Sequence, residues 1–131
     1  MRRLHLLIGV LTLLAFLITG QFMRHHQPPT PQLDDALRLL LRSRHIYILA
    51  SALVNLMLGL YLETKPGWRG ATQTIGSCFT MLSPLFLILA FALEPAHGFQ
   101  PEMWRSSAGL YLLFLGSMLH LISGSGAKKA A

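Results

Sequence analysis

Four long runs of apolar residues, separated by short polar segments, dominate the hydrophobic pattern of the chain. The runs cover residues 4–23, 46–62, 74–93 and 107–123. A hydrocarbon core about 30 Å thick is crossed by roughly 20 helical residues, and continuous apolar runs without strict alternation do not fit a transmembrane barrel. We therefore predict an all-α, polytopic membrane protein, an antiparallel four-helix transmembrane bundle that forms one domain over residues 1–131.

The polar segment between the first two runs carries a pattern of its own. The stretch "TPQLDDALRLLLR" offers Thr30 as a helix cap and Pro31 in the first turn, with Asp34 and Asp35 near the positive end of the helix dipole. Leucines occupy one face and arginines the other. The pattern predicts a short amphipathic helix over about residues 31–43, which lies on the membrane surface and leads into the second span.

Composition supports a membrane location and narrows the partners. The chain is 53% hydrophobic and 12% charged, about half the charge of an average soluble domain. Its net charge of +6 comes from basic residues between the apolar runs, without the basic and aromatic stripe of a nucleic-acid surface. We predict the lipid bilayer as the partner and no nucleic-acid partner. Small helix faces also permit a homodimer or a complex with another membrane protein.

Basic residues indicate an orientation. The side of the two termini carries six lysines and arginines and the other side five, which favours cytoplasmic termini in a bacterial-type inner (plasma) membrane. The six are Arg2, Arg3, Lys65, Arg69, Lys128 and Lys129; the five are Arg24, Arg38, Arg42, Arg44 and Arg105. The first run is too long for a signal peptide, so we predict an uncleaved span.

Each span has one face of small and polar residues, and these faces are expected to meet inside the bundle. The second span places Asn55 on this face, where it can hydrogen-bond to a neighbouring backbone. In the third span Pro84 is expected to kink the helix and to leave a carbonyl unpaired.

Two histidines stand out on these faces. His5 opens the first span and His120 lies near the end of the fourth, so antiparallel helices would bring both imidazoles to one side of the membrane. Each histidine has a glycine one turn deeper, Gly9 and Gly116 respectively. Neutral imidazole is a haem ligand, and a glycine leaves room for the macrocycle. This pattern predicts one candidate b-type haem site.

The stretch "HLLIGVLTLLAFLITG" resembles the first helix of bacterial membrane proteins related to cytochrome b and to the PepSY-associated helices. In those proteins H-x-x-x-G opens a span that later carries Thr-Gly. The resemblance implies that His5 is an axial ligand, that Gly9 makes room for the haem, and that Thr19 and Gly20 pack together. It covers one helix of four, and the third span lacks the histidine that a two-haem site would need. His45, at the opposite side, and Asn55 are weaker cofactor candidates.

Three classes of function fit these observations. We favour a small structural or accessory membrane protein, because no G-x-S-x-G, H-E-x-x-H or phosphate-loop motif indicates an enzyme. The first alternative is a haem protein that transfers electrons through His5 and His120. The second is a copper-handling protein or a small transporter subunit, with His25, His26 and His97 as metal ligands.

Overall fold

The computed structural model is helical throughout its regular structure. It describes residues 1–25, 33–95 and 103–124. The four helices are α1 (Arg2–His25), α2 (Asp35–Tyr61), α3 (Trp68–Leu93) and α4 (Trp104–Gly124). All four are long and apolar enough to cross a membrane, which confirms the prediction of an all-helical chain with four candidate spans.

The segment predicted as an amphipathic helix that leads into the second span forms the start of α2. Residues 35–43 continue without a break into the second span, because neither proline nor glycine separates them; residues 31 and 32 lie outside the described part of the chain. Leu41 is buried and packs with Phe91 of α3, whereas the Asp35 side chain is exposed. The location of this segment on a membrane surface stays a prediction.

Glycines hold the helices together as two close pairs. A Cβ atom added to Gly9 of α1 would lie 2.8 Å from the Leu56 nitrogen of α2, and one added to Gly59 would lie 2.7 Å from the Leu6 nitrogen. In the same way, a Cβ on Gly116 of α4 would lie 2.8 Å from the Gly76 oxygen of α3. These approaches leave no space for a side chain, so the backbones of α1 and α2, and of α3 and α4, lie against each other.

The two pairs meet along an interface that we call the seam. The seam is formed mainly between α2 and α3, with α1 also reaching α3 and α4 reaching α2. Ile48 of α2 and Leu87 of α3 are fully buried in one apolar cluster along it. A short connection between Leu62 and Gly67 joins α2 to α3, and Gly67 has a positive φ of 66° directly before α3 begins.

The distribution of side chains is the reverse of that in a water-soluble protein. Polar side chains are buried at the helix contacts, among them His5, Asn55, Ser77, Thr80 and Ser83. The outward faces carry large apolar side chains, among them Leu7, Leu11, Leu14, Ile18, Leu53, Leu85 and Phe114. Such faces are stable against lipid and costly against water.

Candidate functional site

Pro84 in α3 leaves one backbone carbonyl without its helical hydrogen bond, and a chain of buried polar side chains begins at this carbonyl. In a regular helix the amide of residue 84 would bond to the carbonyl of residue 80, but Pro84 has no N–H. The Asn55 amide nitrogen of α2 donates to the freed Thr80 oxygen at 2.9 Å and to the Ser51 oxygen at 3.0 Å. Asn55 is fully buried. The unpaired carbonyl was predicted from the sequence, but its partner was not.

Because both acceptors are carbonyls, the Asn55 nitrogen must face them, and its Oδ1 must face His5. Nδ1 of His5 lies 2.8 Å from Oδ1 and therefore carries the proton that it donates. With a neutral ring, Nε2 of His5 is then an acceptor, and the Ser77 hydroxyl donates to it at 2.9 Å. We call Asn55, His5, Ser77 and His120 the imidazole chain.

The other end of the imidazole chain is His120. Its Nε2 lies 3.3 Å from the Ser77 hydroxyl, which has given its hydrogen to His5 and so accepts from Nε2–H. Nδ1 of a neutral His120 is therefore an unprotonated acceptor. Among the described residues it is the one buried side-chain nitrogen or oxygen without a hydrogen-bond partner.

A pocket of about 440 Å³ lies beside His120, at the end of the bundle where α2 finishes. Its other lining residues are Met57, Leu58, Tyr61, Leu62, Glu63, Lys65, Gln73 and Gly124. At the edge of the pocket, Gln73 holds the connection between α2 and α3 in place. Its amide nitrogen donates to the Glu63 backbone oxygen at 2.8 Å, and its Oε1 accepts from the Lys65 backbone N–H at 2.9 Å. The Lys65 ammonium has a weak contact with the exposed Glu63 carboxylate, at 3.4 Å.

The structure brings the four residues predicted for haem to this region, yet they do not fit a haem. The His5 and His120 ring centroids are 6.0 Å apart, and the Ser77 hydroxyl bonds to both rings. The space beside Gly9 is filled by Leu56, and the space beside Gly116 by α3. A flat macrocycle needs that space and a free ring nitrogen on each histidine. The two glycines serve helix packing instead.

His45 belongs to a separate contact between α1 and α2. Its Nδ1 donates to the Thr19 hydroxyl at 2.9 Å, which itself donates to the Phe16 oxygen. The His45 ring stacks on Phe16 with centroids 4.0 Å apart, and Gly20 lies against its edge. Asn55 is ten residues further along α2, about 15 Å at the helical rise, so the structure does not join these two candidates in one site.

The predicted copper ligands are not assembled in the described part of the chain. His25 is exposed, and its Nδ1 bonds to the Gln21 oxygen at 2.9 Å. His26 and His97 lie outside the described residues. Within those residues there is no group of three or more histidine, cysteine, aspartate or glutamate side chains that could hold a metal ion.

A buried ion pair at the opposite end of the bundle is the clearest feature that sequence reasoning missed. Nε of Arg44 in α2 lies 2.7 Å from Oε2 of Glu94. The other Glu94 oxygen accepts from the Ser106 backbone N–H at 2.9 Å, in the first turn of α4, where the helix dipole favours a negative charge. Arg44 also contacts the Met103 sulfur. Both charges are buried. Because Arg44 belongs to α2, Glu94 directly follows α3 and Ser106 belongs to α4, the ion pair joins these three helices.

Comparisons with family models, with curated proteins and with solved structures found no match. The resemblance of the first helix to cytochrome-b-related proteins therefore stays a prediction. A functional proposal has to rest on the geometry of the helices, the imidazole chain and the pocket.

Proposed function

We propose that the protein is a multi-pass membrane protein with a structural or accessory role, and that its partner is the lipid bilayer. The observation that carries this proposal is the reversed distribution of side chains. Large apolar residues cover the outward faces, and polar side chains are buried where the helices meet. Lipid favours this arrangement, because in hydrocarbon the polar groups must be satisfied inside the protein.

Residue contacts support an antiparallel bundle as its form. Along α1 the contacts run from Leu6 through Gly9 to Gly20, and along α2 they run in the reverse direction, from Gly59 to His45. Between α3 and α4, Gly76 lies against Gly116, and Leu87 lies against Gly109. The exposed Asp35 side chain also supports our proposal that α2 begins at the membrane surface.

The pairing of buried charges favours a structural role over transport. A transporter needs an acid or base that is free to bind a proton, but Arg44 and the Ser106 N–H occupy both oxygens of Glu94. Asn55, His5 and Ser77 likewise use one another and the backbone. Hydrogen bonds and ion pairs of this kind join the helices of a bundle to each other.

We further propose that this membrane is a bacterial-type inner membrane with both termini in the cytoplasm. The side of the termini carries six lysines and arginines and the opposite side five. An excess of these residues is typical of the cytoplasmic side of a membrane protein.

Cysteine accessibility in intact bacterial cells tests both parts. In a Cys78→Ser background, Asp35→Cys is expected to react with a membrane-impermeant maleimide added outside. The matched variant Glu63→Cys, at the other end of α2, is expected to react only after lysis. A protein released from membranes by alkaline carbonate contradicts membrane integration, and labelling of Glu63→Cys but not Asp35→Cys in intact cells contradicts the orientation.

A further inference from the structure

The imidazole chain ends in an acceptor that nothing within the described chain satisfies. Its direction follows from Asn55: the Ser51 carbonyl and the Thr80 carbonyl freed by Pro84 orient the amide, which sets the proton on His5. The Ser77 hydroxyl transmits this direction to His120 and leaves the lone pair of Nδ1 without a donor. A buried acceptor without a donor is unfavourable, so this atom marks a position where a donor would be bound.

The His120 ring packs against α3 with one edge and also lines the pocket. The Cδ2 edge of His120 faces α3, since a Cβ built on Gly76 would lie 3.2 Å from it. Nδ1 is on the opposite edge of the imidazole. The ring also lines the pocket of about 440 Å³ at the end of α2, which is within the size range of small-molecule sites, about 300–1,000 Å³.

The residues that line the pocket indicate that the main part of a ligand there would be apolar. Its α2 wall is formed by Met57, Leu58, Tyr61 and Leu62, an apolar surface with one aromatic ring. The flexible methionine thioether makes favourable contacts with aromatic rings and adapts to irregular shapes. The pocket lies at the ends of the candidate spans, at the depth where molecules with an apolar body and one polar group collect.

We propose that this pocket binds a small membrane-soluble phenol, whose hydroxyl donates to Nδ1 of His120 and whose ring lies against the α2 wall. Nδ1 itself has almost no exposed surface, so binding requires a small rotation of the imidazole or of a wall side chain. The inference adds a ligand site to the structural role proposed above. It depends on the packing of the helices and not on their orientation in the membrane.

Nitrogen NMR on ¹⁵N-histidine-labelled protein tests the site directly. The protein is held in a detergent without hydroxyl groups, such as an alkyl amine oxide, and titrated with 4-butylphenol or with 4-butylanisole, which has the same body but no donor. We expect the phenol to shift the Nδ1 resonance of His120 while His45 and His25 stay unchanged. Calorimetry should show the phenol binding up to about tenfold more tightly than the anisole, the ratio that one net hydrogen bond gives.

Two variants complete the design. His120→Phe keeps a ring and removes the acceptor, so it is expected to bind the phenol and the anisole equally. The matched control His25→Phe changes an exposed histidine of α1 and should keep the preference for the phenol. Should His120→Phe fail to fold, the wild-type titration with the two ligands decides by itself.

Three results would overturn the proposal. Equal affinities of the two ligands for the wild-type protein would show that no hydrogen bond is formed. A preference for the phenol that persists in His120→Phe would place the acceptor elsewhere. Tighter binding of heptan-1-ol than of 4-butylphenol would show that the pocket takes aliphatic alcohols and that the aromatic assignment is wrong.

Discussion

Asn55 and Pro84 are expected to be energetically coupled, although they lie on different helices. Pro84 removes the N–H that would bond to the Thr80 carbonyl, and Asn55 supplies the replacement donor at 2.9 Å. In Pro84→Ala the helix regains its own donor, so this bond to Asn55 loses most of its value. Asn55→Ala should therefore destabilise the wild-type protein more than it destabilises Pro84→Ala.

The size of the effect follows from the bonds that Asn55 makes to other helices. They are the bond to the Thr80 oxygen and the bond from His5. Hydrogen bonds between membrane helices contribute on average about 0.6 kcal/mol and at most about 1.7 kcal/mol, so Asn55→Ala is expected to cost about 1–3 kcal/mol. In the Pro84→Ala background the cost should fall by about the value of one bond.

A double-mutant cycle measures this coupling. The free energy of unfolding is obtained by titrating mixed micelles with a denaturing detergent and following helicity by circular dichroism. Thr19→Val in the same cycle is the control, because the Thr19 hydroxyl bonds within α1 and to His45, so its effect should add to that of Pro84→Ala within about 0.5 kcal/mol. If Asn55→Ala costs the same in both backgrounds, Asn55 does not satisfy the Thr80 carbonyl, and the Ser51 carbonyl alone orients its amide.

Two further substitutions test the contacts that hold the helices together. Glu94→Gln leaves the buried Arg44 charge without its counter-ion, and we expect a loss of about 3–5 kcal/mol in the same unfolding titration. Gly59→Ala puts a methyl group 2.7 Å from the Leu6 nitrogen, and the overpacking is expected to cost about 1–3 kcal/mol, seen as a lower midpoint of thermal unfolding.

Each of these substitutions has a matched control. Asp35→Asn breaks the ion pair with Arg38 at an exposed carboxylate and should cost no more than about 1 kcal/mol. Gly124→Ala adds the same methyl group where nothing lies within 4 Å, so it should not lower the midpoint. If a variant and its control lose the same stability, then neither the burial of the ion pair nor the close approach of the helices determines the loss.

The number of helices could be predicted from the sequence because lipid requires long apolar runs. The helix ends could not, since hydropathy records where the chain is apolar and not where the backbone stops being helical. The third run was predicted from residue 74, but α3 begins at Trp68, directly after the positive φ of Gly67. In the same way hydropathy places the start of the second span at residue 46, whereas α2 begins at Asp35 and includes residues 35–43 of the predicted amphipathic segment.

The site was predictable in its positions but not in its connections. Helical periodicity placed His5 and Asn55 on inward faces, and both are fully buried. Periodicity does not reveal what fills the space beside a glycine, so Gly9 was assigned to a haem although Leu56 occupies that space. Ser77 was missed because its role depends on the rotation of α3 against α1, which no single-helix pattern contains.

Among the described residues, the close glycine contacts lie inside the two helix pairs and not across the seam. Backbone approach at glycines occurs inside the pairs, as at Gly9 and Gly116, and it resists displacement because any shift brings atoms into collision. Directional polar bonds, such as that from Asn55 to the Thr80 oxygen, join the pairs across the seam. Such bonds can be exchanged one at a time for other donors and acceptors. We therefore expect displacement of one helix pair along the seam to cost less free energy than displacement of two helices within a pair.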